Sequence, residues 1–483
     1  MLYGRKIWLF VVLMTATVLI KAVPTTFISP SQITTTPFSI TAPGLYVLTD
    51  DVAYNTSGGT AITINSSDVT LDMNGKAIIN TGAGVENSIA LASTFTNVVI
   101  RNGTIRVFDG TGITVPTGSY NIALENIATV GVNATVGTGI DLQGIAGATT
   151  RSKGITIRNC DVRNCLRGLN GTAADNVVIR NSNFNNNGGR SILATNCNSW
   201  ILDGCQASAN SSATEGIGLF VIGGLCWVIK NSDFSGNTGG TGAGRGAVFQ
   251  AGISGTGGHV IENNTFCFNG SGSGSSVGID LQISNSCVFR NCIANGNFAT
   301  SSIAEGYSIT GSGIILEGCI GNGNIASGSV MDVYGIIISG TGCTIRNSQF
   351  SGNASTAGTS GAAVGILLSS SSRGFFIDNC VCAGNVTLGS GGPAVGFGIL
   401  LITTAGSNVI KDCTVINNST RGFDNAANAA GANLFIGNKS FGHGVAGASN
   451  YVGAIPFLSI AAAGPYPLAG SFDNRRLANL SFT

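Results

Sequence analysis

Apolar and polar residues alternate in a short pattern that recurs along most of this chain. Segments such as ITIRNC, VVIRNS, WVIKNS and CTIRNS place apolar residues before one charged residue, and an Asn and a small residue follow. The residue before the charge is apolar in every charged copy. We therefore expect it to point inward and the charge outward, as alternation along a strand requires. The charged positions are Asp72, Arg101, Glu125, Arg158, Arg180, Asp203, Lys230, Glu262, Arg290, Glu317, Arg346, Asp378 and Lys411. A fourteenth copy, LFIGN, has Gly437 at this position.

The spacing between copies varies from 22 to 33 residues, which favours coils of short strands over a helical repeat. An inserted residue would rotate the apolar face of a helix, whereas a coil of strands absorbs insertions in corner loops. Stretches such as TGGTGAGRGA are predicted to be such loops. A third strand with the pattern GIxL precedes several copies, as at Gly139, Gly278, Gly335, Gly365 and Gly398. The chain is therefore predicted to be all-β, a single-stranded parallel β-helix of about 14 coils with three short strands per coil.

The signs of the outward charges support this stacking. Eleven of the twelve neighbouring pairs along the column have opposite signs, and only Arg158 and Arg180 match. In a coil, each charge lies about 4.8 Å from the charges above and below it, so opposite signs attract and like signs repel. Because exposed ion pairs contribute little to stability, we expect the column mainly to fix the register of the coils.

The residues after the charge predict a corner and a second ladder. Asn, Gly or Asp follows the charge in twelve of thirteen copies, and these residues tolerate left-handed backbone conformation. A small residue, Cys or Ser in most copies, comes next and is predicted to be buried. We interpret these cysteines as free packed thiols, with a disulfide between adjacent coils such as Cys292–Cys319 as the alternative. A later Asn recurs in nine successive copies and predicts a ladder of side-chain amides: Asn187, Asn210, Asn237, Asn269, Asn297, Asn324, Asn353, Asn385 and Asn418.

Composition and the N-terminal segment limit the possible functions. Charged residues are only 9% of the chain and the net charge is +1, which does not favour a nucleic-acid partner. Arg5 and Lys6 precede an apolar run from Ile7 to Ile20, the layout of a secretory signal peptide. The protein is therefore predicted to be secreted or to reside at the cell surface or in the periplasm, with an uncleaved anchor as the alternative. No CxxC motif occurs, and the sequence predicts no metal and no cofactor.

The repeats resemble those of right-handed parallel β-helix repeat proteins of the pectate-lyase-like superfamily. The stretch SITAPGLYVLTDDV to AITINSSDVTLDMNGKAI, residues 39–78, is similar to the entry coil of that group, and the resemblance covers about residues 30–444. It implies a right-handed helix but is a poor guide to activity. The predicted organisation is a signal peptide at 1–23, a cap and entry coil at 24–68, the β-helix at 69–444 and a C-terminal cap or tail at 445–483.

In sugar-cleaving members of that superfamily, the site usually lies on the outer face of the strand that corresponds to GIxL. The predicted outward positions on this strand are Asp141, Asn170, Gly218, Ser254, Asp280, Ser308, Ile337, Leu367, Leu400 and Asp424. Asp141 and Asp280 are five rungs apart, about 24 Å, whereas paired carboxylates for glycoside hydrolysis need about 5–9.5 Å. The catalytic candidates are therefore Asp280 with Glu305, one rung above and about three residues to the side, and Asp141 with Arg167. His443 lies in a GHG tripeptide like that of polygalacturonases, whose other motifs are missing.

Apolar residues at outward positions of three successive rungs form what we call the apolar strip: Ile337, Leu367, Leu400 and Ile402. An exposed strip of this kind needs a cover or a partner. One interpretation is that the apolar tail, residues 451–472, folds over it or caps the coil. The other is a side-by-side homo-oligomer.

Two classes of function are consistent with these features. The favoured hypothesis is a non-catalytic binding or structural module, adhesin-like, with a polysaccharide or cell-surface glycan as its partner. It fits the export signal and the mutually paired surface charges. The alternative is a polysaccharide lyase or glycoside hydrolase that acts on the outer face of the GIxL strand.

Overall fold

A computed structural model describes residues 24–452 except for 34–36, 56–58, 83–86, 146, 148, 253–254, 329–330, 357–360, 371, 389–394, 403–404, 426–432 and 444–450. The predicted signal segment 1–23 lies outside these residues, as does most of the predicted tail. Parallel strands stack into a β-solenoid of about 13 turns, close to the number expected from the sequence. In the described residues, the only helix is one 3₁₀ turn, Pro30–Gln32, and no helix has the length and apolar character of a membrane span.

The strands that carry the charge column form sheet 1, a parallel ladder of 20 strands. Successive charged positions from Asp72 to Lys411 are direct neighbours in this ladder, as predicted. Its strands are Thr25–Ile28, Gly44–Leu48, Val52–Tyr54, Val69–Asp72, Ala77–Asn80, Thr96–Val107, Tyr120–Gly131, Ser152–Arg158, Asp161–Arg163, Ala174–Asp175, Val178–Arg180, Ile201–Asp203, Val228–Lys230, Val260–Glu262, Val288–Arg290, Ile315–Glu317, Thr344–Arg346, Phe376–Asp378, Val409–Lys411 and Leu434–Ile436.

The charge column is paired as the alternation of signs predicted. Seven of the eleven opposite-sign neighbours lie within ion-pair distance, including Arg101–Asp72 at 2.9 Å and Arg346–Glu317 at 3.0 Å. The fourteenth position was predicted wrongly, because Ile436 rather than Gly437 is the neighbour of Lys411. Gly437 has a φ of 63°, which places it in the left-handed corner that follows the column.

The GIxL strands form sheet 2, a second parallel ladder. Its strands are Phe38–Ile40, Thr60–Ile64, Asn87–Leu91, Thr111–Val115, Thr138–Leu142, Arg167–Thr172, Arg190–Thr195, Gly216–Ile222, Gly224–Leu225, Gly244–Gln250, Thr256–Gly257, Ser276–Asn285, Ala304–Ser312, Val333–Thr341, Ala362–Leu368, Val395–Leu401, Arg421–Asn425 and Tyr451–Val452. The strand Gly244–Gln250 corrects the prediction that TGGTGAGRGA is a loop throughout.

Short segments after the corner complete each coil. Each of these segments forms a single β-bridge to the segment of the next coil, in a series that runs from Asp161 and Asn183 to Val381. The series continues as the strands Val381–Ala383, Thr414–Ile416 and Lys439–Phe441. A further ladder, sheet 3, contains Ser211–Ser212, Thr238–Gly239, Gly270–Ser271, Phe298–Ala299, Ile325–Ala326, Ala354–Ser355 and Val386–Thr387.

The interior is one continuous apolar core in which like residues stack on like. Trp200 and Trp227 stack with their ring centroids 4.9 Å apart, and Phe234 and Phe266 stack at 5.3 Å. All thirteen cysteines are free, and all but Cys226 are buried. This agrees with their interpretation as packed thiols.

The corners follow one hydrogen-bonding rule. The corner residue is left-handed, as at Asn159 with a φ of 52°. A side chain of the next coil then accepts the N–H of the residue after it, as Ser182 Oγ does from Cys160 at 3.1 Å. The predicted asparagine ladder obeys the same rule, since each Oδ1 accepts from the backbone N–H of the preceding Asn. From Asn210 to Asn418 the amides also bond to one another at 2.8–3.1 Å.

Candidate functional site

Glycine shapes the outer face of sheet 2. A Cβ added at Gly246 would lie 2.5 Å from the carbonyl oxygen of Gly278, and one added at Gly278 would lie 2.6 Å from that of Gly306. The coils can therefore stack this closely only without a side chain at this position. The glycine also interrupts the alternation of inward and outward side chains along the strand. Arg245, just before Gly246, and Val248, two residues after it, both face outward.

The outer face therefore has two columns of side chains, three residues apart on each strand. The first column contains Arg190, Ile217, Arg245, Val277, Glu305, Tyr334, Val364, Phe397 and Arg421. The second contains Asp141, Asn170, Leu193, Phe220, Val248, Asp280, Ser308, Ile337, Leu367, Leu400 and Asp424.

The sequence assigned two of these outward positions wrongly and missed a third. It placed Gly218 and Ser254 where the structure has Phe220 and Val248, and it omitted the rung of Leu193. Asp280 and Glu305 are positioned as expected, on adjacent rungs and three residues apart. Arg245, which the sequence interpretation placed in a loop, joins them from the rung below.

Arg245, Asp280 and Glu305 form a cluster that we call the charged centre. Arg245 Nη1 lies 3.4 Å from Asp280 Oδ2, and Gln282 Nε2 donates a hydrogen bond of 2.7 Å to the same oxygen. Both carboxylates are nearly enclosed, with Asp280 6% and Glu305 8% exposed. Arg245 Nε is buried and has no hydrogen-bond partner among the described residues, so one donor of the guanidinium is left without an acceptor.

The environment of the charged centre changes the acidity of both carboxyl groups. The pKa of Glu305 is raised to about 7, mainly by burial and also by the negative charge of Asp280, while a hydrogen bond with Ser308 and the charge of Arg245 oppose the shift. Burial also raises the pKa of Asp280, but Arg245 and Gln282 oppose this shift. Two neighbouring carboxyl groups with different acidity are what acid–base catalysis requires, although such pairs also occur in structural networks.

The second candidate pair is assembled differently. Asp141 accepts hydrogen bonds from Gln143 Nε2 at 3.0 Å and from Asn170 Nδ2 at 2.8 Å. Arg167 starts the next rung, three residues to the side, and forms no ion pair with Asp141 in the described structure. Asp141 and Asp280 occupy the same position of the same GIDLQ segment, five rungs apart, so the two copies differ mainly in their surroundings.

The four residues of the apolar strip belong to one cluster on this face. Ile337, Leu367 and Leu400 are direct neighbours in register, and Ile402 packs in the same cluster with Tyr334, Val364 and Phe397. The strip is less exposed than the sequence predicted, because Leu367 is only 6% exposed and the other three are half-buried. The adjacent first column supplies much of this burial. Most of the predicted tail, 451–472, lies outside the described residues, apart from the strand backbone of Tyr451–Val452.

A second apolar cluster, which the sequence did not predict, lies on the other side of the charged centre. It contains Leu193, Ile217, Phe220 and Val248, and the Arg190 guanidinium lies 4.2 Å from the centre of the Phe220 ring. The charged centre is therefore set between two apolar bands. The residue before the glycine of each sheet 2 strand could have revealed this arrangement, but the sequence interpretation did not treat that position as outward.

Both histidines act as acceptors in the corner pattern. His443 Nδ1 accepts the backbone N–H of Asn418 at 3.2 Å, which places it at the end of the asparagine ladder, and His259 Nδ1 accepts that of Trp227 at 3.3 Å. The other ring nitrogens, which then carry the proton, donate to Ser440 and Thr256. Within the described residues, no three His, Cys, Asp or Glu side chains converge as a metal site requires.

Comparisons with known proteins concern the fold. A family model described as a right handed beta helix region matches residues 89–250 and 137–319. Among solved structures, the chain is similar to the A-module of mannuronan C-5 epimerase AlgE4 of Azotobacter vinelandii, at 16% identity over 77% of this chain and 86% of that chain, with a TM-score of 0.34.

The chain is also similar, at a comparable level, to two further solved structures. The N-terminal fragment of gene product 12 of bacteriophage Phi29 is 15% identical over 82% of this chain and 66% of that chain, with a TM-score of 0.41. A mannuronic acid specific polysaccharide family 6 lyase from human gut microbiota is 10% identical over 89% and 91%, with a TM-score of 0.33. No curated protein matches the chain.

Proposed function

The chain is a right-handed parallel β-helix repeat protein, and we propose that it acts outside the cytosol as a non-catalytic binding or structural rod of an adhesin-like kind. The observation that carries this proposal is how the outward polar side chains are used. The charges of sheet 1 pair along the axis. On sheet 2, Arg245 and Gln282 hold Asp280, while Gln143 and Asn170 hold Asp141.

Access to the candidate catalytic groups supports the same proposal. A polymeric substrate needs an open surface at the reacting carboxyl groups, yet Asp280 and Glu305 are nearly enclosed between two apolar bands. Export rests on the sequence, since Arg5 and Lys6 before the apolar run Ile7 to Ile20 have the layout of a signal peptide. A polysaccharide or cell-surface glycan is the partner class that we propose, and self-association through the apolar strip is a second mode of contact.

A specific observation favours the alternative of a lyase or hydrolase. The pKa of Glu305 near 7 and the raised pKa of Asp280 suit a proton donor and an acceptor. Arg245 is also positioned beside them with a donor that has no partner among the described residues. Under this alternative, the charged centre would have to open to admit a sugar chain.

Turnover on a panel of acidic and neutral polysaccharides separates the two functions. New reducing ends and unsaturated uronates are measured for the wild type, Asp280→Asn and Glu305→Gln. Asp141→Asn tests the second candidate pair, because Asp141 lies in an identical GIDLQ segment. We expect no turnover above background for any of the four proteins. Cleavage by the wild type would establish the enzyme instead, and its loss in the Asp280 and Glu305 variants or in the Asp141 variant would identify the pair responsible.

A further inference from the structure

A groove of about 570 Å³ opens on the outer side of three consecutive rungs, away from the charged centre. Its volume falls within the range of about 300–1,000 Å³ that is usual for small-ligand sites. Residues of the strands Thr96–Val107, Tyr120–Gly131 and Asp161–Arg163 line it.

The rungs explain the shape of the groove. Arg106, Val130 and Arg163 are direct neighbours in one column of the ladder, and Thr104 and Ala128 are neighbours in the next. The middle rung therefore offers a short apolar floor, while a long arginine side chain stands on the rung at either side. The two arginine Cα atoms are two rungs apart, about 9.6 Å, so both guanidinium groups can reach the same small ligand.

The net charge around the groove is positive, since two arginines line it and one carboxylate, that of Asp161, stands beside Ala128. Among the described residues, Arg106 and Arg163 are the only charged side chains that line it, and both are exposed. Asp161 lies 3.3 Å from Arg163 and shares its charge. Arg106 has no carboxylate within ion-pair distance in the described structure, in contrast to many bases of the charge column.

We propose that this groove binds an anionic sugar residue, with its carboxylate or sulfate ester held by Arg106 and its apolar ring face on Ala128 and Val130. A guanidinium binds a planar carboxylate through two parallel hydrogen bonds, and the flat floor suits the C–H face of a sugar ring. The net charge of +1 for the whole chain favours recognition of single anionic groups over a broad field for a polyanion. This inference names the ligand class of the binding function proposed above and rests on it.

Calorimetry with the full-length protein tests the proposal. The probes are a uronic acid tetrasaccharide, a sulfated oligosaccharide of the same length and a neutral one. Because hydrogen bonds to charged groups contribute about 1.5–3 kcal/mol, we expect Arg106→Gln to weaken binding of the anionic probe by about 10- to 100-fold. Arg163→Gln should have a smaller effect, since Asp161 already shares its charge, and added salt should weaken binding of the wild type.

Arg373→Gln is the matched control, since Arg373 is an exposed arginine many rungs away. It should bind as the wild type does, and all variants should keep the wild-type melting temperature. The two anionic probes distinguish a carboxylate from a sulfate ligand. Absence of anionic binding, equal binding of the neutral probe, an unchanged affinity in Arg106→Gln or an equal loss in Arg373→Gln would each overturn the proposal. Failure of the turnover expectation is a separate result, because those variants lie on sheet 2.

Discussion

At the residue scale, Glu305 is the group whose surroundings agree least with its charge. Its pKa is raised to about 7, mainly by burial, whereas the ordinary value is about 4.3. A carboxyl group with a raised folded pKa stabilises the fold fully below its unfolded pKa, and this contribution is lost as the pH rises through the folded value. Above pH 7, the fold therefore holds a buried carboxylate beside that of Asp280.

Glu305→Gln should therefore stabilise the protein in a pH-dependent way. The amide keeps the shape of the protonated carboxyl group and never ionises, so we expect an increase of about 2–4 kcal/mol in the unfolding free energy at pH 8 and little change at pH 4. Asp280→Asn serves as the comparison and should destabilise at pH 8, because it leaves Arg245 without its ion pair. Denaturant titrations at the two pH values measure both effects. An equal effect of Glu305→Gln at both would contradict this account of its environment.

At the element scale, the corner is the unit that joins one coil to the next. A left-handed residue turns the chain, and the N–H that follows it is accepted by a side chain of the coil above. Asn, Ser and His all fill this role, as in Asn408 Oδ1 with Phe375 at 2.9 Å and His259 Nδ1 with Trp227 at 3.3 Å. His259 and Asn408 are thus alternative solutions to the same problem at equivalent corners.

The His259 corner makes stability depend on pH in a predictable direction. Burial lowers the pKa of His259 to about 4, so the fold favours the neutral ring that can accept the hydrogen bond. The stabilisation is complete above about pH 6.5, the ordinary pKa, and is lost as the pH falls towards 4, by up to about 3 kcal/mol.

His259→Asn should remove this dependence and keep the corner. The amide oxygen can accept the Trp227 N–H as Asn408 does for Phe375, whereas His259→Leu cannot and should destabilise at every pH. Melting temperatures measured between pH 4 and 8 check both variants. An unchanged pH dependence in His259→Asn would show that another group causes it.

At the scale of the whole molecule, the register of sheet 1 could be predicted from the sequence and that of sheet 2 only in part. One charged residue per coil marks the same position in sheet 1, so insertions elsewhere in the coil do not change the predicted register. In sheet 2 the GIxL pattern fails where a strand holds two glycines, as in GIGLFVI, or where Ser191 replaces the glycine. The loops between the two sheets vary in length, so the register of sheet 2 cannot be derived by counting residues from that of sheet 1.

The candidate site was incomplete for the same reason. Asp280 and Glu305 could be placed because both lie in clear copies of the pattern, but Arg245 lies in a glycine-rich stretch that resembles a loop. The prediction for the last coil was wrong by one residue, at Gly437 in place of Ile436, because LFIGN has no charged residue to align with the column. Chemistry that depends on three coils can be predicted only when all three are in register.

Residues about 28 positions apart in the chain are vertical neighbours in the stacked coils, and a disulfide crosslink can verify this stacking. Glu262 and Arg290 are neighbours in sheet 1, so their Cα atoms should be about 4.8 Å apart, within the 4.4–6.8 Å that a disulfide needs. Glu262 and Glu317 are two rungs apart, about 9.6 Å. Mild oxidation of Glu262→Cys/Arg290→Cys should give a crosslinked peptide by mass spectrometry, and Glu262→Cys/Glu317→Cys should give none. The reverse result would contradict the stacking on which the account depends.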